Sequence, residues 1–387
     1  MPHVLYLAHD LADPAIERRA AMLEAGGATV DVAGFAREGG TGLGTRAAIV
    51  LGPSREGRFV HRTGSVLKAL LLAPLAVRAL ERADVIVARN LEMLLVAHRV
   101  ARGRPVVYEC LDVHRLLLRE DALGRALRLL ERRLANRSVL LLTSSPAFAA
   151  AHFRPNGITA PVQLVENRVF DPHGTPPPRD TAATPHRGPI RIGWFGTLRC
   201  RRSFDALSRF TRSAEGRFTV ELHGRPAVGV LDDLVERIAA EPFMRYGGPY
   251  RYPDDLARLY GGVDLAWAVD AYEEGQNSAW LLPNRLYEAG RFGVPSIALE
   301  EVETGRFLRR HGIGVTLAAL TPAAIEAALG TLNGARMAAL RAAMRDRSPD
   351  LWTCTTAQCV ELVDRLARLA APRGTPKPTA LPLEGRT

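Results

Sequence analysis

Lysine, cysteine and long apolar runs are all scarce in this chain. Lysine occurs only at Lys68 and Lys377, although Lys and Arg together number 51 against 41 Asp and Glu over 387 residues. The formal charge of +10 is therefore arginine charge. Arginine excess partly follows the base composition of coding DNA, so on its own it does not identify a phosphate ligand. The four cysteines, Cys110, Cys200, Cys354 and Cys359, are scattered and lack metal-ligand spacing. They read as reduced core thiols of a cytoplasmic protein. The longest apolar run, Ala69 to Val77, is about half a membrane span and is interrupted by Pro74. The N-terminus, MPHVLYLAHD, enters a strand without a basic region or a long apolar segment, so no signal peptide is expected. The expectation is a cytoplasmic protein, soluble or peripheral on the inner face of the membrane.

What is present is the composition of a globular protein, 47% hydrophobic and 24% charged. The length suits two domains of about 150 to 200 residues each. Up to Arg187 there are 25 basic against 18 acidic residues, and beyond it 26 against 23. This asymmetry fits an acidic partner such as a membrane surface or a lipid diphosphate better than it fits DNA. Nucleic acid is not an expected partner, because no recognition motif, aromatic stacking pattern or dense basic tract occurs.

The first part of the chain alternates apolar runs with amphipathic segments: VLYLAH, a helix over PAIERRAAMLEAGG, TVDVAGF, DVIVARN, a helix from about Leu91, PVVYECLD, a long basic helix from about His114 to Asn136, and SVLLLTSS. Such alternation implies βαβ units and a parallel sheet. After VQLVENRVF the Pro- and Thr-rich stretch 171–189 reads as a linker. The pattern restarts with IRIGWFG, FTVELHG, FMRYGG, VDLAWAVD and GVPSIALEE, separated by helices. The expected organisation is an α/β protein of two doubly wound Rossmann-like domains, 1–170 and 190–350, facing across a cleft. A helix over 351–370 follows, and 371–387 is expected to be a disordered tail. In such sheets ligands bind outside the carboxyl ends of the strands.

Two stretches carry candidate chemistry. In GWFGTLRCRRSF, Gly196 precedes Arg199, Arg201 and Arg202 and then a helix. Glycine lets backbone approach an anion, and Arg clamps phosphate oxygens bidentately. A solvated Arg cluster beside a structural glycine is the plainer reading, since the spacing is neither G-x-G-x-x-G nor a Walker loop. In NSAWLLPNRLYEAGRFGVP, Pro283 suits a helix start and Asn284, Arg285 and Glu288 follow it. Glu288 is either an acid favoured by the helix dipole or an acceptor for two vicinal hydroxyls. Asn277, Ser278 and the backbone N–H groups near Leu281 and Leu282 would then meet a diphosphate.

The motifs FGTLR, YRYPDDLARLYGGVDLA and NSAWLLPNRLYEAGRFGVP together resemble the C-terminal domain of GT-B glycosyltransferases. With AHDLADPAIERRAAMLEAGGATV and VVYECLDVHRLL, the chain is similar, from Val4 to Ala370, to bacterial exopolysaccharide glycosyltransferases of the succinoglycan ExoL type, relatives of family four. The resemblance implies transfer of a sugar from a nucleotide diphosphate, a UDP-hexose first, to a hydroxyl of a polyprenyl-diphosphate-linked saccharide. It implies that Glu288 holds the ribose, that Arg199 with Arg201 or Arg202 holds the diphosphate, and that Gly196 leaves room for it. Tyr250 would lie near the base, and His223 and Arg225 on the same cleft edge. The first of the paired glutamates that many retaining members carry would fall on Trp280, so inversion is open. An inverting enzyme needs a base on the first domain. Two places qualify: Asp112 with His114, and His9 with Asp10 and Asp13; each aspartate also suits a helix cap.

No metal or cofactor is expected: such enzymes commonly steady the leaving diphosphate with helix N-termini and basic side chains, and no D-x-D motif occurs. The helices VLKALLLAPLAVRALERA and HRLLLREDALGRALRLLERRLANRS either pack on their own sheet or offer a basic apolar face to an anionic membrane. Two other readings share the architecture. A nucleotide-sugar 2-epimerase would turn over donor without acceptor, and a non-catalytic nucleotide-sugar-binding subunit would keep its function through loss of Asp112 or Asp10.

Overall fold

A computed structural model describes residues 1–37, 46–54, 77–172 and 188–371. The first sheet has seven parallel strands: β1 (His3–Ala8), β2 (Thr29–Arg37), β3 (Ala48–Ser54), β4 (Val85–Arg89), β5 (Val106–Cys110), β6 (Leu140–Thr143) and β7 (Val162–Leu164), in the order β3-β2-β1-β4-β5-β6-β7. Every residue of β4, β5 and β6 is buried. Helices cover both faces of a parallel sheet, and for that reason VIVA, VVY and LLL are apolar without alternation, with Arg89 and Glu109 as buried charges at the carboxyl ends of β4 and β5.

The second sheet has six parallel strands: β9 (Ile190–Leu198), β10 (Phe218–Pro226), β11 (Met244–Tyr246), β12 (Leu265–Trp267), β13 (Ser296–Leu299) and β14 (Val315–Leu317), ordered β11-β10-β9-β12-β13-β14. In both sheets the chain winds outward on one side and then restarts beside its first strand. The resulting switch points lie at the carboxyl ends of β1 and β4 and of β9 and β12, where open α/β sheets bind ligands.

A two-stranded parallel pair, β8 (Val169–Phe170) with β15 (Thr353–Cys354), joins the region after the first sheet to the end of the second unit. The helix Thr356–Ala370 then returns to the first sheet, burying Leu362, Val363 and Leu366 against Val4, Tyr6 and Val32. Its start is fixed by a capping box between Thr355 and Gln358. Helix α1 (Pro14–Ala25) ends at Gly26, where a Cβ would lie 2.3 Å from the Cys359 carbonyl oxygen, so only glycine permits this approach.

Several expectations are corrected. The basic segment after His114 is not one long helix: turns lead to Asp121, whose carboxylate caps Gly124 N–H at 2.9 Å and starts the helix Ala122–Ala135. VQLVENRVF divides between β7 and β8, which belong to different sheets. Gly196 lies inside β9 and not in the loop after it. The strand β3, at the edge of the first sheet beside β2, was not anticipated, and neither were the strand β14 and the helices Glu303–His311, Pro322–Leu329 and Gly334–Arg345 of the second unit. Residues 173–187 of the expected linker, 372–387 of the expected tail and 66–76 of the first basic apolar helix lie outside the described residues.

Candidate active site

The first sheet supplies carboxylates. Asp112 follows β5, with its side chain open to solvent in the cleft yet surrounded by protein. Loss of hydration pushes its carboxyl up to about 6, Arg199 and Arg89 pull it down, and Asp13 and Glu273 push it further up. An acid poised there is ionised at neutral pH and still basic enough to take a proton. His114 is half-buried, and its Nδ1 accepts the Leu116 N–H at 3.3 Å, which places the ring in the turn behind Asp112.

The other candidates from this side are built into the scaffold. Asp10 is buried and its carboxylate accepts the Ala12 N–H at 3.0 Å, in a turn after β1. Asp13 caps α1 by accepting Ala15 N–H at 2.9 Å and is paired with Arg89 at 3.0 Å. His9 is half-buried beside Asp10. Beneath them lies a layer that the sequence did not announce. Glu109 is fully buried and is bonded by Arg19 at 2.6 Å and by the Tyr6 hydroxyl, with Arg89 at 3.8 Å. Arg89 thus links Asp13, Glu109 and the field at Asp112.

The second sheet supplies cations. Arg199, directly after β9, donates Nε and Nη2 to the Asp270 carboxylate at 3.0 and 2.7 Å. Asp270, three residues past β12, also accepts the Tyr272 N–H at 2.9 Å and lies 3.6 Å from Arg285. Burial pushes the Asp270 carboxyl up, but Arg199 and Arg285 outweigh it and hold it below the ordinary range. Arg285 Nη1 is buried and has no hydrogen-bond partner among the described residues. A buried guanidinium N–H of this kind awaits an acceptor.

Glu288 sits in the second turn of the helix Asn284–Arg291, is 5% exposed and accepts the Tyr260 hydroxyl at 3.1 Å. Burial raises its carboxyl, against the pull of Tyr260, Arg18 and Arg285. Arg18, on α1, crosses from the first sheet to donate to Asn284 at 3.3 Å and to Asn167 at 3.1 Å. Tyr250 is half-buried, and burial and the Glu288 carboxylate raise its phenol against the pull of Arg285. Gly196 has φ +107, and a Cβ there would meet nothing within 4 Å. Its backbone therefore faces open space. Gly224, on β10, packs so closely that a Cβ would lie 1.7 Å from the Gly196 carbonyl oxygen.

The structure brings together Asp112, Arg199, Arg285, Glu288, Tyr250 and Gly196, with Asp270 and Glu273 between them. It removes others from the expected contacts. Asn277 spends its amide on Val113 N–H, Val113 C=O and Glu273, and Ser278 Oγ donates to Asp270 and accepts the Glu273 N–H. Leu281 N–H is taken by the Asn277 carbonyl. None of the three has the expected donor group free for a diphosphate. Arg201 is bonded to Val230 C=O and Asp233, and Arg202 to Glu274, so neither joins the Asp270 cluster. His223 packs on Phe195 and the Gly247 backbone, where burial pushes its pKa down, and Arg225 is exposed. Trp280 meets Phe148 edge-on at 6.3 Å, filling the junction between the two units.

Comparison with known proteins agrees with this fold. No protein-family model matches the chain. The succinoglycan biosynthesis protein ExoL of Rhizobium meliloti (strain 1021) is 46% identical, over 97% of this chain and 96% of the relative. Among solved structures, a sucrose-phosphate synthase from Thermosynechococcus elongatus superposes with a TM-score of 0.74 at 13% identity, covering 95% of this chain and 98% of that one. Anabaena HepE, in complex with UDP-glucose, gives 0.66 at 17% identity, covering 95% and 100%. MurG of Acinetobacter baumannii gives 0.55 at 15%, covering 94% and 100%.

Proposed function

Because the chain belongs to the ExoL family of exopolysaccharide glycosyltransferases, with the GT-B fold, we propose that it moves a hexosyl group from a UDP-sugar to a lipid-linked saccharide, with inversion and without a metal. The observation that carries this reading is that Asp112, an acid poised at about 6, lies within the field of Arg199, a cation of the second unit held by Asp270. Glu288 receives the ribose hydroxyls, and Gly196 leaves space for the diphosphate. Arg199 and Arg285 Nη1 meet the diphosphate oxygens, with the N-terminus of the helix Asn284–Arg291 behind them.

In the transfer step the acceptor hydroxyl gives its proton to the Asp112 carboxylate as its oxygen bonds to the anomeric carbon. The bond from that carbon to the diphosphate oxygen breaks, and UDP leaves with the electron pair, its growing charge met by Arg199 and Arg285. The purified protein, given radiolabelled UDP-glucose and lipid-linked saccharide extracted from membranes, is expected to place label in the lipid fraction, equally with and without EDTA. Label released as free glucose without acceptor, or no turnover at all, contradicts the proposal.

The acceptor's lipid places the first domain at a membrane. Among the described residues no helix is long and apolar enough to cross one. The helix Ala122–Ala135 instead exposes Leu123 and Leu129 (45% and 57%) among Arg125, Arg132 and Arg133. Exposed leucines ringed by arginine suit the boundary of an anionic bilayer, where each basic residue contributes about 1 kcal/mol. Leu129→Asp is expected to reduce co-flotation with phosphatidylglycerol vesicles while leaving transfer to a soluble acceptor unchanged. Undiminished flotation contradicts this face.

A further inference from the structure

We infer that Asn277 is a positioning residue for the transfer step, locking the donor-side loop 270–278 onto the backbone beside Asp112. The inference rests on Asp112 being the base. Asn277 Oδ1 accepts the Val113 N–H at 3.0 Å, and Nδ2 donates to the Val113 carbonyl at 2.5 Å and to Glu273 at 2.8 Å. The side chain is buried and its partner is 164 residues away. A single amide thus reproduces, between the two halves of the protein, the paired exchange of a strand bridge. Only an amide of this length supplies both a donor and an acceptor at that separation: Asp lacks the donor and Ser spans one bond at a time.

The same four-residue helix, Asn277–Trp280, is held to the first half again at its other end. Ser145 Oγ donates to the Trp280 carbonyl at 2.5 Å, beside the Phe148 contact. On the opposite side Ser278 Oγ reaches Asp270 at 3.3 Å, and Thr304 Oγ1 donates to the Leu281 carbonyl at 3.1 Å. A continuous set of contacts therefore runs from Val113 through Asn277 and Ser278 to Asp270 and Arg199. It fixes where the diphosphate cation stands relative to the base. The groups facing Asp112 are Arg199, Arg89, Asp13 and Glu273, with His114 on its own turn. Releasing Asn277 hydrates the turn, and the added hydration lowers the Asp112 pKa.

The test uses Asn277→Ala and the milder Asn277→Ser in the full-length protein, with UDP binding, kcat and the acid limb of kcat/KM measured for each. Both variants are expected to bind UDP within about threefold of wild type. Asn277→Ala is expected to lose kcat by roughly 100-fold and Asn277→Ser less, as a displacement of about 1 Å at a reacting group predicts. The acid limb should move to lower pH in both. Unchanged kcat and limb in the two variants, with Asp112→Asn inactive, overturn the inference and leave the base assignment standing. A kcat that falls only with the folded, UDP-binding fraction, with the limb unmoved, also overturns it. If Asn277→Ala does not fold, Asn277→Ser decides by the same criteria. Full transfer by Asp112→Asn overturns the base assignment and this inference together.

Discussion

Asp112→Asn is expected to lower sugar transfer by roughly 1000-fold while UDP affinity stays within about threefold of wild type. The amide keeps the size of the carboxylate and removes its ability to take a proton. Positioned general bases contribute about 100- to 10,000-fold, and the loss should fall inside that range. The donor contacts are left in place, because Arg199, Arg285 and Glu288 are held by Asp270 and Tyr260 and not by Asp112. Asp10→Asn and Asp13→Asn should behave differently. Asp10 serves a turn, and Asp13 serves a cap and an ion pair with Arg89, so their loss costs stability first. Full transfer by Asp112→Asn with none by Asp10→Asn would move the base to the loop after β1.

Arg199→Ala is expected to reduce kcat by roughly 100- to 1000-fold and to weaken UDP binding as well, since the guanidinium meets the diphosphate before and during bond breaking. Arg199→Lys should recover only part of the loss, because an ammonium lacks the planar fork whose Nε and Nη2 both donate to Asp270 Oδ2. A second effect separates this role from a purely structural one. Arg199 pulls the Asp112 carboxyl down, so its removal should raise the acid limb of kcat/KM above the wild-type position. Asn277→Ala is expected to move the same limb the other way. Opposite movements of one titration by two substitutions on one contact chain are hard to obtain from general destabilisation.

The sheets could be read in the sequence wherever a strand is wholly buried, as in VIVAR, VVYEC and LLLT, because a parallel sheet covered on both faces leaves non-alternating, mainly apolar runs. The strand AIVLGPS was lost for the opposite reason: it carries Gly52 and Pro53 and forms the sheet's edge. At the site, Glu288 and Asp112 were legible because each follows a strong boundary, Pro283 in one case and a buried strand in the other. Arg89, Arg18 and Asp270 were not, since an Arg closing VIVAR or lying within ERR looks like any solvated cation until a partner from another element is seen. Arg201 and Arg202 failed in the reverse sense. They follow Arg199 after Cys200, but the helix Arg201–Ser213 begins there and its turn points them at Asp233 and Glu274. Asn277 was read as a donor contact, and only its three bonds show that its capacity is already used.

The pH dependence of kcat/KM for the wild-type protein tests the central claim most directly, because this parameter reports ionisations of the free enzyme, the state described here. The carboxylate form of Asp112 is the active one, so activity should be full above its pKa and fall as pH drops through it. The account predicts a single acid limb with its midpoint at about 6, absent from the residual activity of Asp112→Asn. An activity that stays level down to the ordinary carboxylate range, or a limb near 6 that survives in Asp112→Asn, would contradict it.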